Sequence, residues 1–257
     1  AVGGVLVAIV AARMALRPAD EERSFGWARA VIIGALVNGG FLLAMAVVVI
    51  AMAAMRLSAP IDLPTGPMLI AAAGGLFTEF ISLALIWKQS KEDLNTKGAF
   101  WHIIQTFVGS LLIIVTALAI EFTGFLLIDP LLGMAFGFVL LWASWGLLKE
   151  AAHLLMEGTP PEVSLPEIKR TLEELHEVSD VHHIHAWALT SGKHVFSAHL
   201  RVTDQEEVLQ TAYDMLRKDF GFFFATLQIE TRCFDESGAE AIDLSAASSK
   251  TGHNGDL

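Results

Sequence analysis

The sequence predicts an α-helical membrane bundle joined to a small α+β domain, and three observations predict it. First, 54% of the 257 residues are hydrophobic and 18% charged, with a mean hydropathy of +0.54, too apolar for a soluble globule of this length. Second, runs at 30–55, about 67–87, 99–120 and 126–148 each reach the roughly 20 residues that a hydrocarbon core of about 30 Å demands. Third, after "MEGTPPEVS" the long apolar runs give way to short amphipathic segments.

The elements follow in order. Residues 1–15 are apolar but short and carry Arg13. At about 1.5 Å per residue they span about 22 Å, too little to cross alone. With no initiator Met and no charged leader, the chain reads as beginning partway through a transmembrane helix, N-terminally truncated. The first loop carries Arg17, Arg23 and Arg29 and the third Lys88, Lys91 and Lys97. The second has Arg56 only at its border, and the fourth has Glu121 and Asp129 with no base. This loop-by-loop alternation of Lys and Arg places everything after Lys149 in the cytoplasm.

In that cytoplasmic part "SLPEIKRTLEELHEV" (164–178) predicts a helix opened by a Ser164/Glu167 capping box. "VHHIHAWALT" and "HVFSAHLRVT" predict strands joined by a hairpin at Ser191-Gly192. A second helix over 204–220 and a third strand, "ATLQIETRCF", complete a ferredoxin-like α-β-β-α-β order with helices on one face of the sheet. The domains are then 1–157 in the membrane, 158–235 in the cytoplasm and a disordered tail over 236–257.

Charge and motifs exclude several classes. A net charge of −11 argues against nucleic acid and leaves cations as partners. A single cysteine, Cys233, excludes a disulfide framework and a Cys-rich zinc site. There is no phosphate loop, nucleophile–base set or nucleotide fingerprint, so the chain reads as neither an enzyme nor an ATP-driven pump. Gly133 and Gly137 form a small-xxx-small pair suited to close helix packing.

Three groups carry candidate chemistry. His102 lies inside an apolar run, four residues before Thr106 on the same helical face. Glu79 sits mid-run with no basic neighbour, as a cation ligand or proton carrier, or as a neutral carboxyl hydrogen-bonded within the bundle. The third group is His182, His183, His185, His194 and His199. Alternation places His183 and His185 on one face of their strand and His182 on the other, and a tight hairpin sets His199 opposite residue 184 or 185.

"EDLNTKGAFWHIIQTFVGS", "LIDPLLGMAFGFVLLWASWGLLKEAAHLLMEGTP", "VHHIHAWALTSG" and "LQIE" resemble the cation diffusion facilitator family of divalent-metal transporters, in the family's order and spacing. The resemblance implies a remnant of a six-helix transporter domain and a metallochaperone-like cytoplasmic domain. It implies a homodimer in a lipid bilayer, the bacterial inner membrane, that exchanges zinc (or Co2+ or Cd2+) for protons without a resident cofactor. It places His102 at the first position of a transport-site pair and Thr106 where the family has Asp. Ala1 falls about where another ligand is expected. His182 and His199 match two cytoplasmic ligand positions, while Phe224, Ile229 and Thr231 occupy the last-strand positions without supplying a ligand. The missing ligands leave a second reading open: a non-transporting member, acting as a partner subunit or membrane metal sensor.

Overall fold

The computed structural model describes residues 2–59, 61–87, 94–190, 192–203 and 206–232. The predicted tail, Ser191 of the hairpin and Lys88 and Lys91 lie outside them. The elements run α1 (Val2–Ala15), α2 (Ala30–Ser58), α3 (Thr65–Ile86), α4 (Leu94–Thr123), α5 (Ile128–Leu155), α6 (Leu165–Glu173), β1 (Val178–Thr190), β2 (Lys193–Val202), α7 (Glu206–Lys218) and β3 (Phe224–Glu230).

Among the described residues, stretches of α2, α3, α4 and α5 are long and apolar enough to cross a membrane, and α1 holds a shorter apolar stretch. The protein itself buries only 6–22% of each such stretch. Their large side chains, Trp142 and Trp145 among them, stay exposed, as a lipid solvent requires and water would penalise.

The chain divides into two compact units, residues 39–146 and residues 1–38 with 147–257. Within the first, the small-xxx-small pair works as packing. A Cβ at Gly133 would make an ordinary contact with Ala53 at 3.7 Å, whereas one at Gly137 would come within 2.5 Å of Ile50, so it is bare Gly137 that lets α5 approach α2 this closely. Arg56 closes the end of that contact on Asp129, Nη1 to Oδ2 at 2.9 Å. Gly75 plays the same part between α3 and α4, where a Cβ would stand 3.1 Å from Ser110 Oγ.

In the second unit, β1 pairs antiparallel with β2, and β2 pairs parallel with β3. Amphipathic α6 and α7 cover one face of this sheet. Ile168 and Leu172 from α6 and Val208, Ala212 and Leu216 from α7 join Val181, Ile184, Phe196, Leu200 and Ala225 in one core. Tyr213 ties α7 to β3 by donating to the Ala225 carbonyl at 2.8 Å.

Two expectations need correction here. Ser164 occupies the N-cap of α6 but makes no side-chain cap bond. Pro166, in the first turn, lacks one of the two N–H groups such a cap would reach. The helix also ends at Glu173 rather than continuing to 178, since β1 has begun by Val178.

Candidate metal centre

β1 does not alternate simply. Its register to β2 shifts between Ala188 and Thr190, between His182 and His185, and again between Val178 and Asp180. Two extra residues thereby enter β1 between the turn and His199, so His199 faces His182 and not residue 184 or 185. The middle shift is a bulge around His183, whose φ is +47°. That single left-handed residue lets Val181 and Ile184 both face the core, three apart instead of two. The predicted facing is therefore wrong: His182 and His183 turn outward together, on the face that carries His199.

The bulge gathers three imidazoles. Ring centroids are 5.4 Å apart for His182 and His199, 5.5 Å for His182 and His183, and 5.2 Å for His183 and His199. Beneath them lies a carboxylate that the sequence reading missed, Glu230 at the end of β3. In β3 the core-facing residues are Ala225, Leu227 and Ile229, so alternation sends Gln228 and Glu230 to the histidine face. Phe224, Ile229 and Thr231 carry no ligand group, and Glu230 lies between the last two of them. Period-two counting back from the apolar 225, 227 and 229 would have found 230.

One atom each from His182, His199 and Glu230 lie within 4.8 Å of one another, and this trio forms the metal-competent cluster among the described residues. Glu230 Oε1 stands 2.9 Å from His199 Nδ1 and accepts from Gln228 Nε2 at 2.6 Å. Its Oε2 is fully buried, accepts no hydrogen bond and stands 3.7 Å from His182 Nε2. His182 Nδ1 rests 3.0 Å from Asp180 Oδ2, off hydrogen-bond alignment. Asp180 thus stands behind one ring nitrogen of His182 while the other, Nε2, faces Glu230. Two imidazoles and a carboxylate match the N/O preference of tetrahedral zinc.

The other cytoplasmic histidines do not join. His194 pairs through Nε2 with Glu162 at 3.0 Å, at the turn end of β2. His185 lies opposite Ser197, farther along β1.

In the membrane part, His102 falls within α4 but its side chain lies outside the described residues. Thr106 Oγ1 donates to the Ile103 carbonyl at 2.9 Å. One turn on, Ser110 Oγ donates to Glu79 Oε1 across the α3–α4 contact at 3.2 Å, an approach that bare Gly75 permits. Glu79 Oε2 is buried and, among the described residues, accepts no hydrogen bond. The α4 positions 102, 106 and 110 thus form one stripe at helical spacing, with a carboxylate facing its third member.

Comparison with known proteins decides the family. The cation efflux transmembrane domain matches residues 1–156 and the cytoplasmic domain of cation efflux proteins matches residues 160–232. The chain belongs to the cation diffusion facilitator family. Similar curated members include the cation efflux system protein CzcD of Alcaligenes sp. (strain CT14), 32% identical over 246 residues, covering 94% of this chain and 78% of that protein. The cadmium, cobalt and zinc/H(+)-K(+) antiporter of Bacillus subtilis is 30% identical over 246 residues, 91% of this chain and 78% of its own. The zinc transporter ZitB of Escherichia coli (strain K12) is 31% identical over 231 residues, 88% and 74% respectively. This cation diffusion facilitator is therefore an integral membrane protein with a cytoplasmic C-terminal domain.

Proposed function

We propose that this protein exports a divalent cation of the zinc class, Zn2+ with Co2+ or Cd2+ as companions, from the cytoplasm in exchange for protons. It does so as a homodimer in a bacterial inner membrane, and its cytoplasmic domain binds the same ion at His182, His199 and Glu230. The observation that carries the reading is Glu230: a buried carboxylate with one open oxygen, flanked by two imidazoles. Such a group is costly to bury unless a cation completes it. The relatives' printed names, zinc transport and cadmium, cobalt and zinc antiport, support the ion class and the exchange. Imidazole and carboxylate ligands also bind protons, so metal entry displaces protons by the nature of the donors.

Within the membrane we assign the cation's route to the α4 stripe that begins at His102, with Glu79 on α3, beside Ser110 and about 12 Å further along at 1.5 Å per residue, supplying the charge that Thr106 lacks. The competing reading, a non-transporting partner subunit or metal sensor, draws on Thr106, whose hydroxyl is a poor zinc ligand. Zinc uptake into proteoliposomes under an imposed pH gradient separates the two. Uptake by the parent, abolished in Glu79→Gln and weakened in His102→Ala, is the expected result. A folded, dimeric parent that binds zinc but takes none up would overturn transport and leave the sensor.

A further inference from the structure

We propose that His183 is a ligand of the cytoplasmic site, making it a three-histidine, one-glutamate centre for a tetrahedral borderline cation, Zn2+ or Co2+. This deepens the reading of His182, His199 and Glu230 as a metal site and rests on it.

The argument is geometric. Zinc–nitrogen bonds of about 2.0–2.1 Å set an imidazole centroid about 3.2 Å from the ion. Tetrahedral angles then separate two such centroids by about 5.2 Å. The three rings stand 5.2, 5.4 and 5.5 Å apart, close to the spacing of a three-imidazole tripod on one ion. They meet at 61–71° to each other, so they form a propeller and not a stack. Glu230, with its open Oε2, supplies the fourth donor. The nitrogens of His183 stand outside the closest trio. With its centroid already in place, turning the ring about its side-chain bonds brings one in.

The backbone points the same way. A regular strand would send residue 183 toward the core, behind the site. Instead the chain adopts φ +47° there with a register shift, and bulges of this kind re-aim side chains beside functional sites. Charge is consistent as well. A dication with Glu230 bound and Asp180 behind His182 leaves a neutral centre, which suits groups buried this deeply.

The test uses the full chain in detergent, carrying His102→Ala so that imidazoles counted at the metal come from the cytoplasmic domain. X-ray absorption at the zinc edge should report three imidazoles per ion. His183→Asn, which tolerates the left-handed backbone, should report two and bind zinc at least tenfold more weakly in chelator competition. His182→Ala should abolish tight binding. If His183→Asn keeps the parent's spectrum and affinity while His182→Ala loses both, the proposal falls and the trio stands. If His182→Ala changes nothing either, the trio falls with it.

Discussion

Replacing Glu230 by glutamine should leave the metal-free domain at least as stable and remove most of its response to zinc. The residue is 2% exposed and its Oε2 accepts no hydrogen bond. A buried polar atom without a partner costs about 1–3 kcal/mol, more when charged. Glutamine keeps the shape, and its retained oxygen still accepts from Gln228, while the charge is gone. In chelator the variant should therefore match or exceed the parent. Zinc reverses the order. At a hundredfold excess over Kd, the parent gains about 2.7 kcal/mol. Structural zinc sites yield about 10–16 kcal/mol over four ligands, so losing one costs roughly 3–4 kcal/mol and weakens binding 100-fold or more. The same zinc concentration then sits near the variant's Kd and contributes about 0.4 kcal/mol. Amide hydrogen exchange of β2 peptides around Phe196 and Leu200 reads this segment by segment. Zinc should slow exchange about 100-fold in the parent and about twofold in Glu230→Gln. An equal slowing in both would refute the carboxylate as a ligand. Exchange accelerated several hundredfold in chelator would show it to be a structural group instead.

Three further outcomes follow from the packing. Phe196→Ala empties a fully buried position whose ring lies tilted against Phe222, centroids 5.1 Å apart, and should cost the cytoplasmic domain about 3–5 kcal/mol, read by the same exchange experiment. Arg56→Ala strands Asp129, whose side chain is only 18% exposed, and should lower stability by about 1–3 kcal/mol. Adding Asp129→Asn should recover part of that in a double-mutant cycle of thermal stability. Thr106→Asp places a carboxylate one turn from His102 and should raise zinc uptake in proteoliposomes at least tenfold; unchanged uptake would remove position 106 from the route.

Much of this was legible in the sequence because its signals are periodic. Apolar runs of bilayer length, basic residues in alternate loops and amphipathic segments after 158 each encode one element locally. What escaped was set by departures from period. The bulge at His183 has no composition signal, since histidine adopts the left-handed region only somewhat more readily than most residues. It nevertheless reverses the facing of His182 and, together with the shift between Ala188 and Thr190, moves the partner of His199 by two. Glu230 escaped for a different reason. It ends a strand whose partner is parallel, so its neighbours at the site come from β1 and β2, some 30–50 residues back in the chain. Gly75 likewise reads as a generic small residue until Ser110 is found against it.

The two candidate binding places differ in where their negative charge comes from, and this orders the transport variants. In the cytoplasmic cluster one carboxylate, Glu230, belongs to the metal-competent trio and another, Asp180, stands behind an imidazole. On α4 the pair at 102 and 106 brings none, because residue 106 is a threonine that bonds its own helix. A dication crossing the bundle needs an anion on its route, since desolvation there outweighs what neutral donors return. Glu79 supplies one two turns along the stripe from 102: it is held by Ser110 through Oε1 and, among the described residues, its Oε2 has no donor. An imidazole can be replaced by water at the cost of affinity, whereas the compensating charge has no substitute in the pair. Glu79→Gln should therefore abolish uptake at any zinc concentration, while His102→Ala should raise KM and recover part of the rate at saturating zinc. The opposite ranking, with Glu79→Gln near parental and His102→Ala dead, would mean that the cation crosses without the α3 carboxylate.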